Sequence, residues 1–275
     1  MKKLVSLFLA FVMAVGLVGC GSSSDNGNSS VGGVVKLDGS TSMEKLVGAL
    51  SEAMPEAYPN ISLEAQFTGS SSGIKALIAG TADIGDASRN LKDDEIASGA
   101  VENIVAIDGI AVAVNPNLRV GDITSEQLAQ IYTGEITNWS QLGGQNEAIV
   151  VIGRDSASGT RGAFEEILDI EGACKYAQEI ESTGAVVAKV ASIEGAIGYV
   201  SLDMIDDTVK AMSLNGVAPS NETIADGSYT LARPFVMATM GEISQQSEAV
   251  KAVFDFIASE DGQKVLEAVG LVGVN

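Results

Sequence analysis

From residue 34 onward, short runs rich in Val, Ile and Ala alternate with stretches whose apolar positions recur at intervals of three and four. The runs suit pleated strands and the recurring positions suit one face of a helix, so the chain reads as α/β with open sheets. Strands are predicted over 34–37, 61–67, 104–114, 149–152, 196–200 and 230–239, and helices over 43–57, 73–79, 125–132, 161–168, 247–259 and 263–269. Within 247–259, Val250, Val253, Phe254 and Ile257 form one core-facing stripe. The strands at 104–114 and 230–239 exceed the usual five or six residues and are long enough to pass from one lobe to another. Lobe 1 is then 34–112 plus 236–275 and lobe 2 is 113–235, each an open sheet flanked by helices. Two such crossings make a hinge on which the lobes close around a ligand.

The start of the chain has a different pattern. Two Lys follow Met1, residues 4–18 are almost unbroken in apolarity, and Leu17-Val18-Gly19-Cys20 places small residues at a cleavage point, as in a secretory signal over 1–19. The tetrapeptide resembles the bacterial lipobox, which makes Cys20 the expected lipidation site and the cell membrane the expected anchorage. Residues 20–33, almost all Gly, Ser and Asn, cannot collapse into a core and form a flexible tether. With Cys20 acylated, Cys174 has no partner in the chain and is expected as a small buried hydrophobe.

Composition narrows the chemistry. The 275 residues are 46% hydrophobic and 19% charged, enough apolar content for a folded body. A net charge of −20 provides no basic face for a phosphate backbone, so nucleic-acid binding is not expected. Loss of the two Lys in 1–19 leaves −22, which suits a soluble extracytoplasmic body attached to the membrane through its anchor alone. The chain has no His and only two Cys, which removes the commonest general base and any Cys-rich metal site; neither a metal nor a cofactor is expected. Gly is frequent at 31 residues while aromatics are only 5%, which favours recognition by backbone amides in tight turns over stacking surfaces.

Three such turns stand out, each in the order strand, Gly and hydroxyl residues, helix. They are Gly39-Ser40-Thr41-Ser42, Gly69-Ser70-Ser71-Ser72-Gly73 and Arg154-Asp155-Ser156-Ala157-Ser158-Gly159-Thr160. Each alone reads as a helix cap, since Ser and Thr are favoured there for local reasons. Together, two in lobe 1 and one in lobe 2, they supply unpaired amides, hydroxyls and helix-dipole charge for an anion. Arg154 adds a fork suited to two oxygens of a tetrahedral anion, although it could also pair with Asp155 on the surface. Ser88 and Arg89 add a further hydroxyl and a second Arg near the lobe 1 turns. A competing motif is Ser42-Met43-Glu44-Lys45, which fits the Ser-x-x-Lys of acyl-serine enzymes. Its companion Ser24-Asp25-Asn26 lies in the tether, and no Lys-Thr-Gly follows.

With these turns placed, residues from about 34 to 274 resemble the phosphate-binding protein of bacterial phosphate ABC importers, which has the two-lobed periplasmic-binding-protein type II fold. The resemblance is carried by the three turns, by Ala82-Asp83-Ile84-Gly85 with Ala87-Ser88-Arg89, by Tyr132-Thr133-Gly134 with Asn138-Trp139, by Gly195-Ala196-Ile197-Gly198-Tyr199-Val200 and by Leu231-Ala232-Arg233-Pro234-Phe235. It implies a receptor, not an enzyme, that takes inorganic phosphate and delivers it to the membrane permease subunits of an ABC importer; a monomer is expected. The anion site it implies comprises Thr41, Ser42, Ser70, Arg154, Ser158, Gly159 and Thr160, and Ser40, Ser71, Ser88 and Arg89 are expected to bind the phosphate with them. Some relatives carry an Asp after the Ala-Ser dipeptide to accept the phosphate proton; here Arg89 stands there, leaving Asp86 or Asp155 for that role and Arg89 as a second cationic contact. A sulfate or molybdate receptor is the alternative within binding proteins, because sulfate has no proton to offer such an acceptor. An acyl-serine enzyme using Ser42 is the alternative in another class.

Overall fold

The structure, a computed structural model, describes residues 31–274. The expected signal sequence, Cys20 and most of the expected tether lie outside the described residues. The elements begin with β1 (Gly32–Gly39), α1 (Glu44–Ala57), β2 (Asn60–Gln66), α2 (Ser70–Ile78), β3 (Ile84–Ala87), α3 (Asp93–Ala97), β4 (Ala100–Val101) and the long β5 (Ile104–Val114). Then come β6 (Asp122–Ile123), α4 (Ser125–Thr133), β7 (Val150–Arg154), α5 (Gly159–Ile167), β8 (Gln178–Ile180), α6 (Thr183–Ser192), β9 (Ala196–Ser201), β10 (Lys210–Leu214) and α7 (Asn221–Ala225). The chain ends with β11 (Ala232–Met240), α8 (Glu248–Ala258), α9 (Glu260–Ala268) and β12 (Val272–Gly273).

The main path of strands runs β2-β1-β3-β11-β5-β9-β7-β8. Strand β1 is parallel to β2 and β3, and β7 is parallel to β8 and β9, pairings that need the crossover connections the intervening helices supply. The long strands join these two groups. Residues Ile104 to Gly109 of β5 pair antiparallel with β11, and Ile110 to Val114 pair antiparallel with β9. The buried side chains divide in the same way. Val105 and Ala106 pack with Leu37, Leu46, Phe235 and Val253 in one core, whereas Ile110 and Val112 pack with Trp139, Phe164 and Tyr199 in another. The predicted stripe on α8 is buried in the first core.

At the hinge, Arg233 on β11 stands directly opposite Asp108 on β5. Its Nε and Nη2 donate to Asp108 Oδ2 at 3.1 and 2.8 Å, and Ser201 Oγ donates to Asp108 Oδ1 at 2.7 Å. Both charged groups are buried, and their attraction in a poorly polarisable setting holds only because the remaining lone pairs are also satisfied. Arg233 Nη1 reaches on to the carbonyl of Ser88 at 2.9 Å, so the hinge is tied to the end of β3.

Candidate functional site

Each predicted turn precedes a helix, but two helices begin earlier than expected. Gly69, at φ 97°, takes the cap position of α2, so Ser70, Ser71 and Ser72 form its first turn. Ser158 caps α5 and accepts the Arg161 amide at 3.2 Å, which puts Gly159 and Thr160 at the first two helical positions, where amides have no intrahelical acceptor. The α1 turn is held by the Ser40 amide on the Asp86 carbonyl at 2.9 Å and by the Ser42 amide on Ser40 Oγ at 3.2 Å.

These turns meet. Ser42 Oγ of lobe 1 lies 2.9 Å from Thr160 Oγ1 of lobe 2. Ser40 Oγ donates to Ser88 Oγ at 2.8 Å, Ser70 Oγ accepts the Ser88 amide at 3.1 Å, and the Ser71 amide donates across the lobes to the Ala157 carbonyl at 3.0 Å. Gly159 faces Ser70 and Ser88 so closely that a Cβ there would overlap Ser70 Oγ and lie 2.9 Å from Ser88 Oγ. The bend after β7 therefore abuts the second lobe 1 bend and Ser88 through Gly159, where a Cβ would be crowded, and meets the first bend through Thr160 and Ser42.

Arg154 is the cation of this cluster. Its guanidinium is almost wholly buried, with Nη2 donating to Thr41 Oγ1 and the Glu181 carbonyl, both at 2.9 Å, Nη1 to Thr183 Oγ1 at 3.0 Å and Nε to the Ile180 carbonyl at 3.1 Å. Burial pushes its pKa down to about 10, which still leaves it charged at neutral pH. Among the described residues it forms no ion pair with a carboxylate. The alternative pairing with Asp155 does not form, since Asp155 Oδ1 accepts the Ala157 amide at 3.0 Å. A buried cation surrounded by neutral dipoles is suited to an anion.

Arg89 requires a correction. It is not a second cationic contact, because both its terminal nitrogens are held by the two oxygens of Glu95 at 2.8 Å, and Nη1 also donates to the Asn90 carbonyl. Glu95 sits at the third position of α3, where its Oε2 also accepts the Lys92 amide at 2.8 Å. Burial raises the Glu95 pKa, but the Arg89 hydrogen bonds and the Lys92 amide outweigh it and leave the carboxyl below its ordinary range. Ser71 Oγ accepts from Arg89 Nη2 at 3.3 Å, so this hydroxyl is directed to the ion pair and away from the cluster.

Neither candidate proton acceptor bonds to a cluster hydroxyl. Asp86 is fully buried, and desolvation, with the nearby Asp38 charge second, holds its carboxyl well above the usual range. Cys174 is half-buried at the edge of the lobe 2 core, and burial pushes its thiol up to about 11. Among the described residues there is no cluster of metal-ligating side chains.

The sequence reading missed Thr183, at the start of α6. Its hydroxyl lies within 3.0 Å of Thr41 Oγ1, Ser42 Oγ and Arg154 Nη1, and its amide donates to Thr41 Oγ1 at 3.2 Å. Ile180-Glu181-Ser182-Thr183-Gly184 is a fourth bend of the same kind, with Ser182 capping the helix. The hydroxyl pair before a glycine was its only signal.

A model of the PBP superfamily domain matches residues 24–261. The phosphate-binding protein PstS of Bacillus subtilis is 33% identical over 269 residues, covering 95% of this chain and 88% of that protein. This chain belongs to the PstS family of the PBP superfamily. The PstS of Borreliella burgdorferi is 29% identical over 286 residues, covering 100% of this chain and 99% of that protein. Among solved structures, a Clostridium perfringens protein described as a phosphate ABC transporter substrate-binding protein, crystallised with bound phosphate, is 37% identical. It superposes with a TM-score of 0.83 over 88% of this chain and 100% of its own. An ABC-type phosphate transport receptor from Vibrio cholerae is 31% identical, with a TM-score of 0.72 and coverage of 88% and 100%. The PstS family consists of substrate-binding receptors and not enzymes, and the site agrees. Lys45, the lysine of the Ser-x-x-Lys motif, donates from Nζ to the Asp203 carbonyl at 3.0 Å, while Ser42 Oγ is engaged by Thr160 and Thr183.

Proposed function

We propose that the chain is a lipid-anchored extracytoplasmic receptor that holds inorganic phosphate between its lobes and delivers it to the permease of an ABC importer. The observation that carries this reading is Arg154, buried without a carboxylate among hydroxyls from both lobes. An anion at that place meets Ser40, Thr41, Ser42, Ser70, Ser88, Ser158 and Thr160 and the amides that begin α5. Such a set of fixed N–H and O–H groups replaces the hydration shell that a buried oxyanion loses. The phosphate-binding names of the relatives and the phosphate bound in the Clostridium perfringens structure support the choice of guest. The overall charge of −20 does not oppose it, because a general field is screened over about 8 to 10 Å in physiological salt while the site acts at hydrogen-bonding distance.

Anchorage through Cys20 and a monomeric state complete the proposal. Titration calorimetry of the tag-free soluble chain with phosphate, sulfate and molybdate tests the ligand. Phosphate heat with little from sulfate is expected. Tight sulfate binding with no phosphate heat would overturn the choice, and that outcome has a structural basis in that, among the described residues, no carboxylate is bonded to the cluster hydroxyls. Replacement of Cys20 by Ala should release the chain from the membrane fraction, and retention there would remove the anchor.

A further inference from the structure

We propose that Thr183 is a binding residue of the oxyanion site and that, with Thr41, it is fixed as a hydrogen-bond donor; the inference rests on the oxyanion-receptor reading. The argument is a count of lone pairs. A hydroxyl oxygen accepts at most two hydrogen bonds and donates one. Thr41 Oγ1 accepts from Arg154 Nη2 at 2.9 Å and from the Thr183 amide at 3.2 Å, so both its lone pairs are filled and its own proton has to be donated. The receiving oxygen in reach is Thr183 Oγ1, 3.0 Å away. Thr183 Oγ1 also accepts from Arg154 Nη1 at 3.0 Å, which fills its second lone pair. Its proton then points to Ser42 Oγ at 2.9 Å. The hydroxyl protons thus run one way, from Arg154 through Thr41 and Thr183 to Ser42.

Thr41 and Thr183 consequently have no lone pair left to take a further proton, and with the Thr41 proton held by Thr183 Oγ1, the proton this chain can turn toward an anion is that of Thr183, now directed at Ser42 Oγ. A tetrahedral oxyanion must present unprotonated oxygens to this edge. A P–OH group is received instead among hydroxyls whose direction is not fixed by Arg154, such as Ser42 and Thr160, which lie 2.9 Å apart and either of which can donate to the other. In this arrangement a rotatable hydroxyl can accept the P–OH proton as a carboxylate would, although unlike a carboxylate it can also turn and donate to an anion that carries no proton, and Arg154 polarises the donor edge.

The test is calorimetry of the wild type, Thr183→Val and Thr183→Ser with phosphate, sulfate and molybdate, with melting temperatures recorded without and with phosphate. Thr183→Val keeps the shape and removes the hydroxyl, both the proton and the oxygen to which Arg154 Nη1 donates. It should weaken phosphate at least tenfold and shrink the phosphate-induced rise in melting temperature, measured for each variant from its own ligand-free value, which Thr183→Val lowers because Arg154 Nη1 loses its acceptor. Thr183→Ser should stay within about threefold. A Thr183→Val chain that binds phosphate as the wild type does, or a Thr183→Ser chain as weak as Thr183→Val, would overturn the role of Thr183 alone. A wild type that prefers sulfate or molybdate overturns only the phosphate choice, and the same comparison is then read with that anion. A wild type that takes up none of the three anions removes both proposals.

Discussion

Arg154 Nη2 of lobe 2 donates to Thr41 Oγ1 of lobe 1 at 2.9 Å, so the buried cation of one lobe is a direct tie to the first bend of the other. Its removal should therefore cost both ligand binding and closure. Cutting one partner of a buried charge-assisted contact costs about 2 to 5 kcal/mol, so Arg154→Ala should weaken phosphate by at least thirtyfold in calorimetry. Arg154→Lys should recover little of this, because the three donors on one ammonium nitrogen cannot serve Thr41, Thr183 and the carbonyls of Ile180 and Glu181 at once as the fork does. An affinity unchanged in Arg154→Ala would place the anion elsewhere.

Gly159 lies where the lobes touch, and an added Cβ there would sit 2.8 Å from Ser70 Cβ and 2.9 Å from Ser88 Oγ. Gly159→Ala should thus hold the lobes apart while disturbing neither core. Small-angle scattering with phosphate present is expected to give a larger radius of gyration than for the wild type, with affinity lowered about tenfold or more. A variant as compact and as tight as the wild type would show that the junction yields easily.

Much of this was legible in the sequence because the features are local. The bends after β1, β2 and β7 each follow an apolar run with glycine and hydroxyls, and a pattern of that kind survives without knowledge of the fold. The fourth bend did not show, because β8 is a three-residue, partly exposed strand, Gln178-Glu179-Ile180, with no apolar run to announce it. Helix α6 was hidden by its valines, which favour strands in isolation, while Val186, Val187 and Val190 are buried at helical spacing. Arg89 was misread for the opposite reason. Its charge looked available beside the Ser88 hydroxyl, and only folding of α3 brings Glu95 onto it. The Asp108–Arg233 pair joins residues on strands far apart in sequence, where no spacing rule applies.

The Arg89–Glu95 pair offers a control that separates structure from binding. Leaving a buried charge without its partner costs about 3 to 5 kcal/mol, so Glu95→Ala should lower the denaturation midpoint markedly. Phosphate affinity, measured where the variant is still folded, should remain within about threefold. A large loss of affinity with little loss of stability would return Arg89 to the anion site.

Asp203 should make the stability of the chain depend on pH. Burial, with the Asp108 charge second, pushes its carboxyl up to about 6, and Ser201, Lys45 and Arg233 offset this only in part. An unfolded Asp titrates near 3.9, so between about pH 4 and pH 6 the folded chain holds more protons than the unfolded one. Stability from this group is thus present below about pH 4 and falls as pH rises to about 6. The loss approaches about 3 kcal/mol at most, from roughly two pKa units at 1.36 kcal/mol each. Asp203→Asn keeps the shape and cannot ionise, so by urea denaturation it should gain on the wild type as pH rises from 4 to 7, with the two close at pH 4. Asp86, also raised by burial, contributes a slope of the same sign to both proteins and cancels in the difference. A constant gap between the two curves across that range would mean that Asp203 does not titrate there.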